Sequence, residues 1–84
     1  MQAQAQLYAQ GLQRTGTVNR WFDDKSSGWI DGDDGDNLFV HANDIVGERS
    51  KLVQGERVEY EIGWNHKISK QRAEMVRVNI SYFV

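Results

Sequence analysis

The stretch KSSGWIDGDDGDNLFVH, residues 25–41, holds two short apolar runs on either side of an acidic turn. SGWID (27–31) and NLFVH (37–41) have the length and alternation of strands. The Asp and Gly residues between them tolerate a positive φ and cap turns with their own side chains. The stretch therefore reads as a β-hairpin. Side chains alternate between the two faces of a strand. Leu38 and Val40 share one face, Phe39 and His41 the other, and Ile30 lies opposite Trp29. If Val18, Ile30, Leu38 and Val40 fill a core, Trp29, Phe39 and His41 stand outside it, within cross-strand reach of one another. The opposite register would bury the aromatics and put Ile30, Leu38 and Val40 in water.

Further strands lie on both sides. GTVNRWF (16–22) precedes the hairpin, and its Arg20, Trp21 and Phe22 are candidates to join the aromatic face. RVEYEIG (57–63) alternates strictly, with Val58, Tyr60 and Ile62 opposed to Arg57, Glu59 and Glu61. RAEMVRV (72–78) is the fifth strand. The segment 42–56 reads as a long loop with a turn of 3₁₀ helix near Asn43–Val46, and WNHKISKQ (64–71) as a polar loop. Five short strands with a long connection between the third and fourth predict an all-β, antiparallel Greek-key barrel, whose closure removes exposed edges. The expected organisation is a flexible N-terminal tail over 1–13, one domain over 14–79 and a C-terminal tail over 80–84.

Composition narrows the function. With 84 residues the chain has room for one domain, and it holds no cysteine. Two histidines, His41 and His66, are too few for a histidine-rich metal site. The run DGDDGDN does not have the spacing of a calcium loop and reads as a solvated turn. No nucleophile–base set or carboxylate pair stands out, so neither an enzyme, a cofactor nor a small-molecule substrate is expected. No 18-residue apolar run is present, and the N-terminal residues lack the pattern of a signal peptide. A cytoplasmic setting is expected, with a nuclear or organellar one left open. Net charge is −2 and pI about 5.6, which disfavours a polyanion binder held by charge alone. Charge is uneven, however. Six aspartates and one lysine lie between Asp23 and Asp36, whereas Lys67, Lys70, Arg72 and Arg77 face only Glu74 between His66 and Arg77.

An exposed aromatic platform calls for a partner to cover it. Nucleobases fit: each has a π-face, and stacking on an aromatic side chain is worth about 1–3 kcal/mol per base. Unstacked bases are needed, so single strands are favoured over duplex. Lys25, Arg20, Lys67, Lys70 and Arg72 are the candidate phosphate contacts.

These pieces together resemble the cold-shock domain over about residues 14–79. TGTVNRWF matches the family's first strand, G-x-V-K-W-F-N. KSSGWI stands at the RNP1 motif K-G-F-G-F-I, and LFVHA at the RNP2 motif V-F-V-H-F. The acidic turn between them is also similar. KLVQGERVEYEI follows L-x-x-G-x-x-V-x-F-x-I, and QRAEMVRV stands where the family has P-Q-A-x-N-V. The resemblance implies a five-stranded OB-type barrel that binds single-stranded RNA or DNA with weak sequence preference, as an RNA chaperone or regulator of transcripts. By position, Lys25 corresponds to the RNP1 lysine, Trp29 to its second aromatic, and Phe39 and His41 to the RNP2 pair. Asn37 falls where the family often has an Asp that contacts a base edge.

The chain departs from the pattern in several places. Ser26 and Ser27 replace the first RNP1 glycine and aromatic, and Ala42 the last RNP2 aromatic. An ungapped match puts Arg20 at the surface Trp; a gapped one returns Trp21 to the surface. Arg20 can itself stack by its guanidinium plane. Trp64 either adds an aromatic or covers the barrel end. The missing stacking positions predict binding weaker than usual for the family. The competing reading is a protein-interaction module, or a weak homodimer, that keeps the barrel but has lost most nucleic-acid binding. The alternating tail NISYFV motivates it.

Overall fold

A computed structural model describes residues 13–78. The expected tails over 1–13 and 80–84 lie outside these residues, apart from Gln13. Five strands form in the expected order: β1 (Gln13–Phe22), β2 (Ser27–Gly32), β3 (Asn37–His41), β4 (Arg57–Asn65) and β5 (Lys70–Val78). They close into a barrel in the order β1-β2-β3-β5-β4, all-β and of the OB type. Neighbouring strands run antiparallel except at the β3–β5 join, which is parallel.

The core follows the alternation of the sequence. Val18, Ile30, Leu38, Val40, Val58, Tyr60, Ala73 and Val76 are buried, so every strand contributes. Ile45 and Leu52 from the long connection add to this core, and Ile62 and Val78 pack against it half-buried. Burying such apolar side chains supplies about 1.5–3 kcal/mol each for Val, Leu or Ile.

β1, β4 and β5 outrun their expected limits by two or three residues, and β2 by one. β1 begins at Gln13 because residues 13–17 pair with β4 from Glu61 to Arg57. The expected loop over 64–71 shrinks to the turn 66–69, since Gly63↔Arg72, Trp64↔Gln71 and Asn65↔Lys70 continue the β4–β5 ladder. An exposed hairpin end is polar whether it is strand or loop, so composition does not separate the two. The Asn65 side chain organises the turn, its Oδ1 accepting from Lys67 N at 2.9 Å and Ile68 N at 3.4 Å. The 3₁₀ turn spans Ala42–Asp44, within a residue or two of its expected place.

The acidic turn is tied down by cations. Arg57 donates to both Asp33 carboxylate oxygens, at 2.8 and 2.6 Å, and the Thr15 hydroxyl donates to Asp33 Oδ2 at 2.5 Å. Arg14 lies 3.8 Å from Asp34. Arg57 and Thr15 hold the Asp33 carboxyl well below the ordinary range, the Arg57 hydrogen bonds being the largest cause. Gly35 takes φ +97°, a conformation costly to most L-residues. Among the described residues, no group of three or more His, Asp or Glu could hold a metal ion.

Candidate nucleic-acid interface

The outer face of β1, β2 and β3 is built by one irregularity. Between Val18 and Arg20 the β1–β2 register shifts, leaving Asn19 as a bulge. Val18 still pairs with Ile30 inside the barrel. Beyond the bulge, Arg20 pairs with Trp29, Trp21 with Gly28 and Phe22 with Ser27. Arg20 and Phe22 therefore share the outer face with Trp29, while Trp21 turns to the other side and packs half-buried against the core. Gly28 is required opposite it: a Cβ there would overlap the Arg20 carbonyl oxygen and approach Trp21 Cα at 3.0 Å. The ungapped match of the first strand is the one the fold adopts. Trp21 does not join the surface.

One cross-strand row carries the centre of this face. Arg20 pairs with Trp29, Trp29 with Phe39, and Phe39 with Arg72 across the parallel β3–β5 join. Two guanidinium side chains thus flank two aromatic rings. The rings meet edge to face, with centroids 5.6 Å apart and planes at 75°. A second row holds Phe22, Ser27 and His41. Lys25 Nζ sits 5.5 Å from the centre of the Phe22 ring. Ser27, which stands where the resembled motif has an aromatic, is only 7% exposed and lies between Phe22 and His41. A third row is polar: Asn19 and Asn37 donate to opposite oxygens of Asp31, at 2.7 and 3.2 Å.

His41 is oriented by the turn that follows it. Its Nδ1 accepts from Asn43 N at 3.0 Å, so in the neutral ring Nε2 carries the hydrogen and remains open to a ligand. Arg72 Nε donates to Glu74 at 2.8 Å, and its guanidinium lies 4.0 Å from Asp44. Burial pushes the Asp44 carboxyl up, and Arg72 only partly opposes the shift. Cations divide into two groups. Arg14, Arg49, Arg57 and Arg72 are ion-paired. Arg20, Lys25, Lys51, Lys67, Lys70 and Arg77 make no ion pair among the described residues. Lys67 and Lys70 lie at the β4–β5 hairpin, on the side away from the aspartate turn.

Trp64 and the hairpin were only partly legible. Trp64 is 48% exposed and lines a groove with Phe39, His41, Lys67, Ile68 and Arg72. Arg72 stood out in the sequence as one cation among several. Its place beside Phe39 depends on a parallel join between non-consecutive strands, which no local pattern announces.

A closed five-stranded barrel in the order β1-β2-β3-β5-β4 defines an OB-type domain. The family described as the 'Cold-shock' DNA-binding domain matches residues 14–79. The chain belongs to this family. It is 47% identical over 51 residues to the cold shock-like protein CspLB of Listeria monocytogenes, covering 58% of this chain and 76% of that protein. The fold is also similar to the solved structure of drosophila Unr CSD456, with a TM-score of 0.69 at 14% identity. That match covers 93% of this chain but 32% of the other, so the protein spans about a third of that chain.

Proposed function

We propose that this protein binds single-stranded RNA or DNA by stacking bases on Trp29 and Phe39, with low sequence specificity, and serves as an RNA chaperone or regulator of transcripts. The row Arg20–Trp29–Phe39–Arg72 is the observation that carries the reading. Because the two rings stand at 75°, bases resting on them splay apart instead of forming one continuous stack. A duplex cannot supply bases in that arrangement without losing its own stacking. Arg20 and Lys25 contact phosphates at one side of the row, Lys67 and Lys70 at the other. His41 Nε2 and the Asn37 amide offer hydrogen bonds to base edges.

The test is quenching of tryptophan fluorescence by short oligothymidine and oligouridine, with a duplex as control. Single strands should quench and the duplex should not. Trp29→Ala should weaken binding by about 1–3 kcal/mol. Absence of quenching at low salt and high micromolar strand would sink the proposal.

A further inference from the structure

The β4–β5 hairpin carries a feature that the aromatic platform does not use. Along β4, Val58, Tyr60 and Ile62 face the barrel interior, and Trp64 continues the same parity. At Trp64 the barrel has ended, so the indole finds no core to enter and stays 48% exposed. Ile68, across the turn, is 43% exposed. Between these two side chains and the ends of Phe39 and His41 runs an open groove of about 630 Å³. That lies within the roughly 300–1,000 Å³ of clefts that hold small ligands. Of its charged lining, Arg72 is held by Asp44 and Glu74, whereas Lys67 makes no ion pair among the described residues.

We infer that this groove is an additional nucleotide subsite, in which one base of the bound strand stacks on Trp64 and its phosphate meets Lys67. The inference rests on the binding reading above. An apolar wall, a flat indole and an unpaired cation are the complement of a nucleotide. The groove adjoins Phe39, so a strand leaving the platform enters it without crossing the aspartate turn. The hairpin thereby replaces stacking area that Ser27 and Ala42 do not provide.

The full chain and its Trp64→Ala, Trp64→Phe, Lys67→Gln and Trp29→Ala variants are titrated with labelled oligouridine and oligothymidine of about 4–16 nucleotides, the site size of an OB fold. Trp64→Ala should weaken binding roughly 10- to 100-fold and Trp64→Phe much less. Lys67→Gln should lower the slope of log affinity against log salt by about 0.7. If Trp64→Ala binds like the parent while Trp29→Ala loses affinity, the subsite falls and the platform stands. If the parent binds neither strand, both fall. If sedimentation finds a dimer that Trp64→Ala dissociates, the groove holds a second copy and the subsite is overturned.

Discussion

Met75 has φ +53°, in the left-handed region, as do Ser26 at +52° and Ser69 at +53°. The family's patterns, laid over this chain, have Gly at position 26 and Asn at position 75. The backbone explains both: Gly has no Cβ to clash there, and Asn tolerates the conformation better than most residues. The left-handed kink at Met75 lets β5 change register between Glu61↔Glu74 and Glu59↔Arg77, so that Val76 returns to the core. Met75 is 47% exposed and contributes little packing. Met75→Asn should therefore stabilise the fold by on the order of 1 kcal/mol. For a domain of this size that raises the melting temperature by about 4–8 °C, readable by thermal denaturation. An unchanged or lowered melting temperature would refute this account of the position.

At the scale of elements, the aspartate-rich turn between β2 and β3 works as a staple. Asp33 reaches back to Thr15 on β1 and Arg57 on β4, joining three strands at one end of the barrel. Its carboxyl is held below its ordinary value of 3.8. Folded-state depression of an acid's pKa stabilises the fold above the unfolded value and is lost as pH falls through the folded one. Asp33→Asn should therefore lower the urea midpoint at pH 7, and the gap from the parent should narrow below pH 3.8. An equal gap at pH 7 and pH 2 would remove ionisation from the explanation. The hairpin itself was legible, since alternation and turn residues are local signals. The first strand was not fully so. Arg20 and Trp21 exchange faces according to whether Asn19 is bulged, and a bulge follows from how β1 meets two partners. Val18 exchanges backbone hydrogen bonds with Glu56 and Gly55 at 2.9 and 2.8 Å, contacts 38 and 37 residues away along the chain. Trp64 was ambiguous for a similar reason: its parity was visible, but where the barrel ends was not.

Across the whole molecule, the strand ladders are unequal. β1–β2, β2–β3 and β4–β5 are zipped by several residue pairs each, whereas β3 meets β5 at Phe39↔Arg72, with the bridge Ile45↔Val76 beyond it. The barrel therefore has a seam, and the seam runs beneath the proposed binding face. Phe39 stands on one lip and Arg72 on the other. A strand laid across both acts as a strap that resists opening there. Amide hydrogen exchange should report it: saturating oligouridine should slow exchange in β3 and β5 more than in the β1–β2 ladder. Mass action sets the size, about 2.7 kcal/mol at a hundredfold excess over Kd. Uniform slowing around the barrel would mean that the seam is not a separate opening unit. If the seam does open alone, the barrel's least secure join lies under the proposed binding face, and a strand bound there would leave the domain at its most rigid.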